Sequence, residues 1–236
     1  MEWNPYAREE LLRAWRARPR SEEDLIQGVD LGQLALEGLV VLGSTLRNTS
    51  LQRATLAGSA WERATLQGVS LRQAGLAGST WEECALHGSD LIEAGLEEAL
   101  LSAVRFEGVG LVNARLARAS LSRCTFLATE LYRADLRGAR LAHCRFRDPN
   151  LGQASLARVR LGGAVLLDCD LKEANMREAD LQGALLVSCD LRGVNLQEAS
   201  LRGTTLVSCN VDGACLERAD LGGMTHAGTT WAQVVR

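Results

Sequence analysis

With 236 residues, 47% of them apolar, and a net charge of −3, the chain can bury a sizeable core and carries no basic excess of the kind that marks a nucleic-acid binder. Its seven cysteines form no CxxC pair and no Cys/His spacing of a zinc motif. No apolar run approaches the ~18 residues of a membrane span and no signal peptide is visible, so a cytoplasmic protein without a membrane partner is expected.

Residues 1–22 lie outside the pattern that governs the rest. Asn4 is a candidate helix cap with Pro5 at the first helical position, and Leu11, Leu12 and Trp15 then share one face. The expectation is an N-terminal capping helix, or else a helix that docks a partner. Arg16 to Arg20, broken by Pro19, links it onward.

From Ile26 to Leu221 every fifth residue is apolar, 40 pentads without a slip, and 31 of the 40 key residues are Leu. Neither an α-helix nor a flat strand keeps a one-in-five series on one side, because five residues turn a helix by ~140° and flip a strand. The series closes only if the chain turns a corner once per pentad, so that four pentads make one square coil. Like residues recur at that superperiod of twenty: Phe106, Phe126 and Phe146; Trp61 and Trp81; Cys124 and Cys144; Cys169, Cys189 and Cys209. Small residues fill the position two before the key residue, with Leu34, Leu39 and Pro149 as exceptions. Glycine stands two after it 15 times, which fits a corner favouring positive φ. Coil 1, with Leu34 and Leu39, looks wide enough to receive the cap, and Pro149, by removing one ladder donor, predicts a local kink or bulge with no break in register.

The triplets Ala134-Asp135-Leu136, Ala174-Asn175-Met176, Ala179-Asp180-Leu181 and Ala219-Asp220-Leu221 resemble the A(D/N)LXX motif of the pentapeptide-repeat family. The resemblance implies an all-β solenoid, a right-handed quadrilateral parallel β-helix of about ten coils. Residues 1–22 are then the cap, 23–223 the repeat and 224–236 a C-terminal cap or dimerisation tail. In that tail Trp231, Val234 and Val235 have helical spacing and predict a short helix. Trp231 is a candidate either for the cap or for a dimer contact.

Little chemistry stands out. Six cysteines occupy the small inward position, where Cys serves as a small hydrophobe. His87 and His143 point outward, and no Ser/His/Asp set, phosphate loop or metal cluster emerges, so neither an enzyme nor a cofactor or metal site is expected. Two surface features are not required by the repeat. Leu127, Val165, Leu167, Leu185, Val187 and Val207 stand in outward positions that elsewhere hold polar or small groups, and predict a partner or dimer interface. Charge is banded: an acidic belt (Glu82, Glu83, Asp90, Glu93, Glu97, Glu98) precedes an arginine belt over residues 115–160.

Several proteins of the family that this chain resembles mimic B-DNA, bind DNA gyrase and protect it from quinolones or toxins. The resemblance therefore implies a non-enzymatic protein that binds and modulates gyrase, with a homodimer expected. A passive interaction scaffold for another protein is the alternative. Direct nucleic-acid binding through the arginine belt is not expected: the chain is acidic, and Tyr132 is the belt's one aromatic outside the core.

Overall fold

The computed structural model describes residues 2–17 and 20–235, so Arg18 and Pro19 of the expected linker lie outside it. Asn4 caps a 3-10 turn, Pro5–Ala7, by accepting a hydrogen bond from the Tyr6 amide, and a helix follows over Arg8–Ala17. Leu11, Leu12 and Trp15 of that helix are buried in one cluster with Leu31 and Leu39 of the first coil. Ahead of the helix, Glu2–Trp3 pairs in parallel with Leu25–Gln27, so the chain covers its own first sheet edge with a strand.

From Arg20 onward the chain winds as a parallel β-solenoid of about ten turns, every residue stacked on the one twenty positions later. We number coils from residues 20, 40, 60 and so on, and faces in chain order: face 1 at 40–42, face 2 at 45–47, face 3 at 50–52 and face 4 at 55–57. Face 2 is a continuous 12-stranded sheet from Glu2–Trp3 to Thr225–Ala227, and face 1 is a six-stranded sheet that ends at Ser120–Ser122. Faces 3 and 4 touch the next coil through single bridges.

The key residues fill the interior, and their rings stack coil on coil. Trp61 and Trp81 lie 4.7 Å apart at 3°, Phe106 and Phe126 4.8 Å, Phe126 and Phe146 4.6 Å. The small position holds Ala, Val, Ser, Thr or Cys because only a small side chain fits beside the key residue, and the hydroxyl or thiol of Ser, Thr or Cys there can donate to a carbonyl of the preceding coil. Thr204 Oγ1 reaches Leu181 O at 2.8 Å, and Cys189 Sγ reaches Leu166 O at 3.4 Å.

At the corner position, 27 non-glycine residues and 16 glycines among the described residues have φ between +46° and +70°. The ladder imposes this left-handed geometry whatever the side chain, at ~1–2 kcal/mol for each residue bearing a Cβ. The Asp or Asn of the repeat motif belongs to the bridged faces, where its side chain accepts from the amide two residues on. Asp90 takes Ile92 N at 2.9 Å, Asp180 takes Gln182 N at 3.0 Å, and Asp220 takes Gly222 N at 2.9 Å. Face 1 changes form partway along. Beyond Ser122 it adopts the bridged geometry, with Cys144 N donating to Leu141 O at 3.1 Å, and Asp180 and Asp220 then appear on it.

Two local expectations are corrected. Pro149 removes no ladder donor, which takes away the ground for a kink, because its column donates none: among the described residues the amides of Thr129 and Cys169 make no backbone hydrogen bond either, and the register holds as expected. Glu130, Asn150 and Asp170 bridge in register across it. The tail does not form a helix. Thr225–Ala227 adds a strand, and Thr230 and Val235 bridge to Asn210 and Cys215, so the preceding coil's free edge templates the last turn over its helical spacing.

Candidate functional site

Face 2 carries the apolar surface. Its outward columns are the two residues flanking each key residue, and the register sets Val165 beside Leu185, Leu167 beside Val187, and Val187 beside Val207. These five side chains are half-buried and form one unbroken ladder over three strands. Leu127 is not part of it: Arg147 lies between Leu127 and Leu167, and Arg145 precedes Val165 in the other column. The break follows from the step of twenty, which makes residue 147 the neighbour of both. The patch is therefore an apolar ladder capped at one end by two exposed arginines.

The acidic belt wraps around the rod and is compensated in part. Glu97 pairs with Arg115 at 2.6 Å and Glu98 with Arg118 at 2.7 Å. Asp90 caps the Ile92 amide with Arg72 at 3.8 Å, and Glu93 accepts from Gln73 at 2.7 Å. Glu82 and Glu83, around the corner between faces 1 and 2, have no ion pair among the described residues.

The arginine belt divides in the same way. On face 4 and its corner, Arg137 holds Asp135 through two contacts of 2.7 and 2.8 Å, and Arg158 holds Glu178 at 2.8 Å. The Arg137 guanidinium keeps the Asp135 carboxyl below the usual carboxylate range, and Arg158 does the same for Glu178. Around faces 1 and 2, Arg123, Arg140, Arg145, Arg147 and Arg160 are exposed and have no ion pair among the described residues. Sequence reading did not separate these two groups. Part of the signal was available: counted by twenty, Arg140 has Ser120 on one side and Arg160 on the other, with no acid beside it.

The remaining candidates are structural. Burial pushes the Cys84 thiol up to about 11, and the neighbouring Cys169 thiol together with burial pushes Cys189 up to about 12. His87 contacts Glu107 at 3.1 Å, and His143 stands exposed at a corner. No group of three metal-ligating side chains occurs among the described residues. Trp231 continues the inward key series and meets His226 edge-on at 5.2 Å, half-buried over the open end of the core. Among the described residues no helix is long and apolar enough to cross a membrane.

Stacked parallel coils with Asx-capped corners define a repeat solenoid. Its family is the one whose models match: "pentapeptide repeat region" over residues 139–216 and "pentapeptide repeats (8 copies)" over residues 111–148. Over residues 111–216 the chain carries the repeats that those models describe. Among solved structures it is similar to HetL, a pentapeptide repeat protein involved in heterocyst differentiation regulation from the cyanobacterium Nostoc sp. Strain PCC 7120. The two are 25% identical with a TM-score of 0.71, over 94% of this chain and 95% of that one. Rfr23 from the cyanobacterium Cyanothece 51142 is 31% identical over 39% of this chain and 63% of its own, at a TM-score of 0.38. Full-length QnrB1, a plasmid-mediated fluoroquinolone resistance protein, is 15% identical over 90% of this chain and 91% of its own, at a TM-score of 0.36. Comparison with curated proteins gave no match.

Proposed function

We propose that the protein is a non-enzymatic binding rod that docks another protein through face 2. The observation that carries this is the unbroken ladder of Val165, Leu167, Leu185, Val187 and Val207, left half-exposed on a flat sheet. Apolar side chains grouped on one surface lower its free energy when covered, by ~25 cal/mol per Å². A flat in-register face offers no cleft for a small substrate, but it presents a rigid strip whose ordering cost is already met by the fold. The similar cyanobacterial protein is involved in regulation, which fits a rod that works by contact.

Capture from a lysate of the source organism tests the reading, with the chain compared against Leu167→Asp and Val187→Asp. A protein retained by the native chain and by Glu217→Ala on face 4, but lost from both face 2 variants, supports it. An unchanged capture profile refutes it.

A gyrase-directed DNA mimic draws less support from the surface. Glu97 and Glu98 are matched by arginines, and the unpaired arginines interrupt any continuous negative face. A supercoiling assay with and without a quinolone tests it: protection or inhibition at micromolar protein would favour the mimic, and no effect at either would remove it.

A further inference from the structure

Face 1 carries charges in an arrangement that is complementary to itself. Glu62 and Glu82 occupy the outward position after the key residue in coils 3 and 4, and Arg140 and Arg160 the outward position before it in coils 7 and 8. When two copies meet face to face, a twofold axis lying in the interface along the strands reverses the order of coils and keeps each column over itself. With the axis midway between the rows of Leu101 and Leu121, Glu82 and Arg140 lie equally far from it, ~7 Å at ~4.8 Å per coil. Glu62 and Arg160 are likewise equidistant, at ~12 Å. Each of these four long charged side chains then faces a small residue of the second copy: Glu62 over Gly162, Glu82 over Ala142, Arg140 over Thr80 and Arg160 over Ala60. The opposite charge stands at the same height in the adjacent column, displaced ~6.6 Å along the strand, within reach of an arginine side chain. Glu82 thus meets the second copy's Arg140 and Glu62 its Arg160, each contact repeated by symmetry. Of these four charges, half a coil's shift of the axis one way keeps only Glu62 with Arg140. The same shift the other way keeps only Glu82 with Arg160 and brings Glu62 to Asp180.

We propose that face 1 is a self-association surface on which two copies of this chain dock antiparallel about that axis. Glu82, Arg140 and Arg160 have no ion pair among the described residues, and Glu62 contacts only the corner residue Arg63, at 2.8 Å. Near the axis stand Ser102, Ser120 and Ser122, small enough for close approach, and Leu100, whose 55% exposure makes it one of the few exposed large hydrophobics. The axis places Leu100 over the second copy's Ser120, at one end of a shallow depression whose lining includes Leu100, Ser102, Ser120 and Ser122. Face 2 does not pair with itself in this way, since from Leu25 to Ala227 its outward columns hold one carboxylate, Glu107, against Arg47, Arg105, Arg145 and Arg147. The two faces therefore have separate occupants, a second copy on face 1 and a different protein on face 2. Six coils of one face make a small interface, so the dimer is reversible, of roughly micromolar Kd, and weakened by salt.

Sedimentation of the full chain up to about 100 µM tests the proposal. The expected result is a concentration-dependent rise from the 25.5 kDa chain mass toward twice that value, reduced at high salt. Glu62→Arg with Glu82→Arg, and separately Arg140→Glu with Arg160→Glu, should each weaken self-association at least tenfold. An equimolar mixture of these two variants should restore the dimer, because each then presents what the other lacks. A native chain that stays monomeric, charge-reversed variants that associate like the native chain, or a mixture that stays monomeric overturns the proposal. A dimer abolished by Val187→Asp and retained by the charge variants also overturns it, by moving self-association to face 2.

Discussion

Phe126→Ala removes the middle ring of a stack of three. Phe126 is 1% exposed, and the centroids of Phe106 and Phe146 lie 4.8 and 4.6 Å away, with planes within 4°. Deleting a buried Phe side chain costs ~3–5 kcal/mol when the surroundings cannot collapse. Here they cannot, because the strands Arg105–Glu107, Thr125–Leu127 and Arg145–Arg147 are pinned in register by hydrogen bonds on both sides. Two stacked contacts at ~0.5–1.5 kcal/mol each move the expected loss to the upper part of that range. Phe126→Leu, which restores the commonest key residue, should cost about 1–2 kcal/mol. In a repeat solenoid stability is a sum of coil and interface terms, so the alanine variant should also unfold in two steps as the halves uncouple. Urea denaturation followed by circular dichroism and tryptophan fluorescence measures both effects. A loss below about 1 kcal/mol for alanine, equal to that of leucine and in one transition, would refute the packing argument.

Thiol titration of the native chain should show rapid reaction at half-exposed Cys215 and slow reaction at the six buried cysteines, which become reactive on unfolding. Corner glycines should rank by what a methyl meets. Gly58→Ala, at φ +65° and in open space, should cost about 1 kcal/mol. Gly68→Ala should cost more by thermal denaturation, since its Cβ would stand 2.6 Å from Asn48 Oδ1. The Arg192 fork at 2.7 and 2.9 Å, helped by Lys172, holds the Asp190 carboxyl below its usual range. Its stabilisation is thus full above the ordinary carboxylate value of ~4 and lost as pH falls through the lowered one. Asp190→Asn should lower stability by about 0.5 kcal/mol at neutral pH, the difference from the native chain closing as pH falls below the usual carboxylate range.

Much of the fold was legible because one constraint repeats at every coil. A period of five forces a corner, a stacked interior forces a register of twenty, and both are visible as Leu spacing and as the Phe and Trp columns. The motif's Asp and Asn were legible as a pattern but not as a cause, which is the amide cap on bridged faces. The conversion of face 1 between Ser122 and Arg140 was not legible, since both forms share the inward series and differ only in the turn that follows. Nor was the short strand Glu2–Trp3, because so short an edge strand has no periodicity. The surface was legible as composition and not as pairing. Arg137 turns to Asp135 just upstream on its own coil, whereas Arg115 reaches Glu97 on the coil before. The expected ladder from Leu127 failed on Arg147, whose intrusion becomes plain only when neighbours are counted by twenty.

The central claim, a protein partner seated on face 2, is tested most directly by titration calorimetry of the captured partner against the native chain and Val187→Asp. The account predicts at least a tenfold weaker Kd for Val187→Asp and an unchanged Kd for the face 1 charge reversals. Equal affinity for the native chain and Val187→Asp would contradict it.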